Sequence, residues 1–368
     1  MNVISHSADS FRNLKNTYIE AHPSMNIIFG ENGQGKTNIL ESIWLFTGCY
    51  SFRTHKNIQL VNYSAGEAKA KLRFFAAERE QTAEMKIGKT KDIVLNGSAC
   101  ESPRQMLGKF RCVVFSPSTL AVVKGSPGER RKLVDIALSL IKPNYAVIMS
   151  RYLRTLDQRN ALIKKISENR YDLNILDDWD EVISSLGASI IKYRLEYIEN
   201  LKNKSREIYS GISSAKEEFS VGYSLGKISE TQVSENKERI KEYLLNELFN
   251  SRESDLKKQY TSVGPHSDDL IVTLNGKDAR IYGSQGQQRS CALALKLGEA
   301  SIMGEKTGEE PVVLLDDVMS ELDEGRQKFI LNYLNNWQVF ITCCEPSTLM
   351  RSENGKVFEV VDGTVNER

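Results

Sequence analysis

Gly30-Glu31-Asn32-Gly33-Gln34-Gly35-Lys36-Thr37 decides how this chain folds, because it fits G-x-x-x-x-G-K-[ST] without a mismatch. The short apolar run Met25 to Gly30 before it reads as a buried strand, and Thr37 to Phe46 after it has the spacing of a helix packed on a sheet. Glycines let the backbone curl until successive N–H groups converge on a phosphate-sized nest. The helix that follows adds the partial positive charge of its N-terminus. Lys36 is then placed to reach β- and γ-phosphates, and the Thr37 hydroxyl to ligate Mg2+. All eight residues are therefore candidates for binding ATP.

Two further stretches belong with the loop. Val312-Val313-Leu314-Leu315-Asp316-Asp317 is an apolar strand that carries two carboxylates out at its end. Asp316 is the candidate Mg2+ ligand beside Thr37, and Asp317 the candidate base that orients or deprotonates an attacking water. Ser284-Gln285-Gly286-Gln287-Gln288-Arg289 lies at a helix start, where N–H groups and a hydroxyl again suit a phosphate. A second grip is redundant within one copy of a chain that already has a phosphate loop. It makes sense if Ser284, Gln285, Gly286 and Gln287 face the loop of another copy, in a homodimer.

Around these motifs the chain of 368 residues divides into three parts. Residues 1–125 alternate short apolar runs with glycine turns, including a strand meander that turns at Asn96-Gly97. From 126 to 258 the patterns are helical. Pro143 separates two helices, and apolar residues at Leu176, Trp179, Ile183, Leu186, Ile190, Tyr193, Tyr197 and Leu201 form a stripe suited to a compact bundle. Residues 259–368 return to strand character, with Asp268 to Gly276, Ala279 to Gly283 and Pro311 to Asp317 as strand-like runs. The expected fold is α/β: one head sheet made from the two ends of the chain, interrupted by a mainly helical second lobe.

Composition sets the limits. With 40% hydrophobic and 26% charged residues the chain has the apolar content to fold, and its net charge of +1 gives no global attraction to nucleic acid. Any DNA contact must come from a local patch or a dimer groove. Arg53, Lys56, Arg130, Arg131, Arg151, Arg154, Lys164 and Lys165 are the candidates. No apolar stretch approaches the roughly 20 residues of a membrane span, so the expectation is a cytoplasmic protein without a membrane. Six cysteines, four scattered and Cys343 adjacent to Cys344, and four histidines support neither a disulfide scaffold nor a zinc site. His266 reads as a hydrogen-bonded turn residue.

The order of these motifs resembles the ABC-type P-loop ATPase heads of the SMC group, and further stretches narrow the resemblance to the RecF family. They are Phe11-Arg12-Asn13, the run Gly30 to Glu41, Ser51-Phe52-Arg53-Thr54, Gly128 to Asp135, Gly264 to Leu270 and Gly283 to Ser290. The resemblance implies an ATPase whose second lobe is short and helical, slow hydrolysis stimulated by DNA, and dimerisation driven by ATP. It adds Arg12 and Asn13 to the nucleotide-binding candidates. It also implies binding to duplex and single-stranded DNA at gap junctions, and cooperation with RecR and RecO in loading RecA.

Four departures from that pattern stand out. Asp317 stands where ABC heads usually carry glutamate, as RecF proteins generally show. No histidine follows the last core strand, and Thr342 is the candidate substitute. Ser118 and Ser267 replace the acidic residue and the arginine usual at their positions. Two rival readings are a transporter ATPase subunit, for which the glutamate and histidine are missing, and a non-catalytic ATP-binding scaffold.

Overall fold

The chain opens with β1 (Asn2–Asp9), β2 (Thr17–Glu20) and β3 (Met25–Phe29) in the computed structural model, which describes residues 1–169, 173–213, 215–226, 236–345 and 354–368. The phosphate-loop sequence joins β3 to α1 (Lys36–Trp44). The meander then forms β4 (Ala68–Ala76), β5 (Arg79–Ile87), β6 (Lys91–Leu95) and β7 (Ser98–Ala99), followed by β8 (Cys112–Phe115). Buried and exposed residues alternate without a break along β4, as a half-solvated antiparallel strand requires.

A second compact unit, Ala121–Ala294, interrupts the first, which comprises Met1–Leu120 and Leu295–Arg368. It holds α2 (Ala121–Lys124), α3 (Pro127–Ile141), α4 (Pro143–Asn169), α5 (Asp177–Ser213), β9 (Phe219–Ser224), α6 (Lys237–Lys258), β10 (Asp269–Leu274), β11 (Lys277–Asp278) and α7 (Ala279–Tyr282). Pro143 starts α4, where its missing N–H is harmless. The apolar stripe on α5 packs against α3, α4, α6 and β9, a compact bundle rather than a rod. Helix α8 (Gln285–Thr307) runs past the end of this unit, and β12 (Val312–Asp316), α9 (Glu324–Tyr333), β13 (Val339–Cys343), β14 (Gly355–Val361) and β15 (Thr364–Glu367) complete the first.

Three differences from the sequence-based expectation follow from strand pairing. The first unit has two sheets instead of one: an antiparallel sheet β2-β1-β4-β5-β6-β7, and a second sheet β15-β14-β3-β13-β12-β8. The chain ends do meet, but only in the second sheet, where β14, β3, β13, β12 and β8 run parallel and β15 is an antiparallel edge. The inserted unit also extends beyond residue 258. Strand β10 does not rejoin the head; it pairs with β9, Asp269 opposite Ser224 through Leu274 opposite Phe219, in the sheet β11-β10-β9. Strand β9 escapes the sequence reading because Phe219-Ser220-Val221-Gly222-Tyr223-Ser224 is short and glycine-interrupted. Ala279–Tyr282, read as part of the returning strands, is a single helical turn capped by Asp278.

Candidate functional site

Register brings the motifs together. In the parallel sheet β13 lies between β3 and β12, with Thr342 opposite both Ile28 and Asp316. The phosphate loop after β3 and the aspartates ending β12 therefore flank Thr342 at the carboxyl ends of the strands, where open α/β sheets place ligand sites. Thr342 is the keystone. Its hydroxyl donates to Asp316 Oδ1 at 2.9 Å and accepts from the Asp317 N–H at 3.0 Å. Thr37 Oγ1 donates to the same Asp316 oxygen at 2.7 Å.

Asp317 leaves the strand with φ 53°, a left-handed conformation that aspartate tolerates better than most residues. Ser320 Oγ donates to its carbonyl and its carboxylate at 2.9 and 3.0 Å, holding the side chain away from Asp316. Burial pushes the Asp316 carboxyl pKa up, against the pull of the Thr37 and Thr342 hydroxyls and of Arg53. A buried carboxylate beside a threonine hydroxyl is a hard oxygen set, and it suits Mg2+.

The loop itself turns through Gly30, Gly33 and Gly35, all with positive φ. Lys36, 7% exposed, donates through Nζ to the Gly30 carbonyl at 2.6 Å and the Glu31 carbonyl at 2.9 Å. Asn13 Nδ2 donates to the Gly33 carbonyl at 2.9 Å, and its Oδ1 accepts from Asn38 Nδ2 at 2.7 Å. A cleft of about 460 Å³ is lined by Arg12, Asn13, Asn32, Gly33, Gly35, Lys36, Thr37, Asp317 and Thr342, with Asn38, Arg53, Gln59, Val61, Asn62 and Tyr63. Gln34 has a different orientation: its side chain turns to the β14–β15 hairpin, accepting the Asp362 N–H at 2.5 Å.

One residue that the motifs did not single out organises the cleft. The Glu41 carboxylate on α1 is fully buried and accepts from Arg12 Nε at 2.6 Å, Arg12 Nη2 at 2.9 Å and Arg53 Nη1 at 3.2 Å, as well as from Ser51. Arg53 Nη1 also donates to Asn38 Oδ1 at 2.7 Å. Arg53, a DNA candidate in the sequence, thus lines the nucleotide cleft. The signal for Glu41 was present: it is an acid between the apolar residues Ile39, Leu40 and Ile43 of α1, four residues after Thr37.

Ser284, Gln285, Gly286 and Gln287 lie in the second unit and are not lining residues of that cleft. They open α8 with a reciprocal cap: Ser284 Oγ accepts the Gln287 N–H at 3.3 Å, and Gln287 Oε1 accepts the Ser284 N–H at 2.7 Å. Gln287 Nε2 also donates to Glu217, which accepts from Tyr209. Ser284 and Gln285 stay exposed.

The remaining candidates divide sharply. Arg130 is buried and gives a two-pronged ion pair to Asp269, Nε to Oδ1 at 2.7 Å and Nη2 to Oδ2 at 2.8 Å, so it is not a DNA contact. Arg131 Nη1 donates to the Asp268 carbonyl at 2.6 Å. Arg151, Arg154, Lys164 and Lys165 lie exposed on α4, and Lys56 is exposed in the first unit. His266 has both ring nitrogens engaged, with Tyr152 Oη at 2.6 Å and the Thr261 carbonyl at 3.0 Å. Among the described residues no cluster of three or more metal-binding side chains exists, and no helix is long and apolar enough to cross a membrane.

Comparison with known proteins gives the family. The family model described as the RecF/RecN/SMC N terminal domain matches residues 4–366. The "DNA replication and repair protein RecF" of Caldanaerobacter subterraneus subsp. tengcongensis is 40% identical over 362 residues, 97% of each chain. That of Clostridium tetani is 38% identical over 359 residues, 96% of each. A solved structure of the recombination mediator protein RecF with ATP, from the RecFOR pathway, superposes with a TM-score of 0.91 at 39% identity, covering 100% of this chain and 97% of that one. An SMC head bound to the C-winged helix domain of ScpA shares the fold alone, with a TM-score of 0.58 at 16% identity, covering 100% of this chain and 97% of that one.

Proposed function

This chain belongs to the RecF family, and we propose on that footing that it is a cytoplasmic ATPase of DNA replication and recombinational repair, driven by ATP to dimerise on DNA. The observation that carries the reading is the convergence of Lys36, Thr37, Asp316, Asp317 and Thr342 on one cleft at the carboxyl ends of β3, β13 and β12.

ATP lies along the phosphate loop, its β- and γ-phosphates facing Lys36 and the amides of Gly33 to Thr37. Arg12 and Arg53 add positive charge at the rim. Thr37 and Asp316 would hold Mg2+, which would offset charge on the phosphate oxygens. Asp317 accepts a hydrogen bond from water and orients it toward the γ-phosphorus. As the new P–O bond forms, the bond to the β–γ bridging oxygen breaks, ADP departs, and the water proton passes to Asp317 or to phosphate. Thr342 fixes both aspartates, a task suited to a residue at the switch-histidine position. A single aspartate, one methylene shorter than glutamate, fits a slow turnover, and DNA stimulates it.

Ser284 to Gln287 close the site from a second copy. Their cap leaves the Ser284 hydroxyl proton and the first α8 amides available to a γ-phosphate. DNA is gripped by the paired copies near gap junctions, with Arg151, Arg154, Lys164 and Lys165 as contacts. By family resemblance the partners are RecO and RecR, and the process served is RecA loading.

Sedimentation with ATP and Mg2+, followed by gel shifts on gapped duplex, tests this. Wild type should dimerise and bind DNA. Lys36→Ala should lose nucleotide, Ser284→Arg should bind ATP but stay monomeric, and Asp317→Asn should persist as a DNA-bound dimer. Losing a positioned base slows hydrolysis by about 10²–10⁴. A Ser284→Arg dimer would sink the two-copy arrangement.

A further inference from the structure

The turn between β14 and β15 touches the phosphate loop, although nothing in the motifs involves it. Asp362 and Gly363 have φ 49° and 78°, the mirror-image hairpin turn that an Asp-Gly pair favours. The Gly363 N–H donates to the Gln34 carbonyl at 3.1 Å, the Asp362 N–H to Gln34 Oε1 at 2.5 Å, and the Gly363 carbonyl accepts from the Lys15 N–H at 2.8 Å. The approach is tight on both sides. A Cβ on Gly363 would overlap the Asn13 carbonyl, and one on Gly30 would overlap the carbonyl of Val360.

A trans peptide is planar, so its N–H points opposite to its C=O. Holding the Gln34 carbonyl on the hairpin side therefore aims the Gly35 N–H to the other side. The Gly33 carbonyl, held by Asn13, fixes the preceding peptide as well, with its Gln34 N–H donating to the Glu31 carbonyl at 3.5 Å. Fixing carbonyls outward is how a loop of consecutive amides is kept ready for an anion.

We propose that the Asp362–Gly363 turn is a positioning element of the nucleotide site, with Gly363 and Gln34 as its positioning residues: it sets the phosphate loop in the conformation that receives the triphosphate. This rests on the ATP-binding reading above. Without the turn, the Gln34 peptide is free to rotate, and each ATP bound must first reorder the loop.

The test is ATP titration by calorimetry on the full chain, with apo thermal melts beside it. Gly363→Ala carries both a left-handed backbone penalty and the overlap with Asn13, so it lifts the turn from the loop. Its ATP affinity should fall about tenfold or more, the range for a lost hydrogen bond to a charged group, and the Gly35 amide resonance should shift before nucleotide is added. If Gly363→Ala does not fold, Gln34→Met decides, because it removes only the acceptor for Asp362; a severalfold loss of affinity in a folded protein is expected. Wild-type affinity in a folded variant, even one with a lowered melting temperature, overturns the proposal. Absence of ATP binding by wild type would overturn the nucleotide reading itself, and this inference with it.

Discussion

Arginine–carboxylate clusters occur in both units, but their charge balance differs. In the first, Arg12 and Arg53 share one carboxylate, Glu41. In the second, Arg159 and Arg252 meet three, Asp177, Asp180 and Asp255, and Arg194 lies between Asp135 and Asp268. The second set is closed: Arg159 is 0% exposed, and its charge is already answered within the chain. The first set holds surplus positive charge at the edge of a cleft. Two cations on one anion are stable there only because solvent, or an anionic ligand, is within reach. Stoichiometry thus separates an arginine that holds helices together from one with charge left to offer an anion.

Breaking the closed set should have the largest effect. Arg159→Met removes a guanidinium that donates to Asp180 at 2.7 Å and to Asp255 at 3.1 Å, leaving buried carboxylates short of a partner. A loss of about 3–5 kcal/mol in stability is expected, with ATP affinity of the folded fraction unchanged. Denaturant melts read it; a loss below about 1 kcal/mol would show that the pairing is not what holds α4, α5 and α6 together.

Acid should separate the units by sign. His6 is buried against Ser42, and burial lowers its pKa to about 3 from 6.5. The unfolded chain takes up that proton first as pH falls below about 6.5, so stability is lost on acidification, by about 1.4 kcal/mol per pH unit. Asp268 in the second unit is opposite: burial raises its pKa to about 6 from 3.8. There the folded state takes the proton first, so this group adds stability between about pH 6 and 4. Between pH 7 and 5, His6→Gln should lose about 2 kcal/mol less than wild type. Parallel pH profiles for the two proteins would refute the assignment.

The smallest effect sharpens the comparison from the other side. Arg53→Ala removes a half-exposed cation whose ion pair adds little stability. Melting should barely change, while ATP binds about tenfold more weakly, about 1.4 kcal/mol. The salt dependence of DNA binding should stay as in wild type. A changed salt slope with unaltered ATP affinity would return Arg53 to the DNA surface.

What the sequence discloses follows the distance over which residues cooperate. Gly30 to Thr37, Asp316-Asp317 and the cap at Ser284 are local patterns, and each occupies the element expected of it. Arg130 misleads because its partner, Asp269, is 139 residues away, and a lone arginine in a motif-like stretch looks the same whether paired or free. Glu41 is visible but mute, since its two arginines come from different loops. The strand Phe219–Ser224 needs Asp269–Leu274 to exist as a strand, so no window short of the whole insertion reveals it.

The order β14-β3-β13-β12-β8 also bears on how the molecule is made. Strands β3 and β8 are synthesised early, yet β12 follows its neighbour β8 by roughly 200 residues and β13 follows β3 by roughly 310. At about 5–20 residues per second, the ribosome leaves β8 without its neighbour for about 10–40 s and β3 for about 15–60 s. During that interval two apolar strands have open edges on both sides, the condition in which chains aggregate or recruit chaperones. The phosphate loop, anchored on β3, cannot take its final shape until β13 is in place. The proposed nucleotide site of a nascent chain is therefore incomplete until β13 has been translated, and ATP would recognise only copies that carry it.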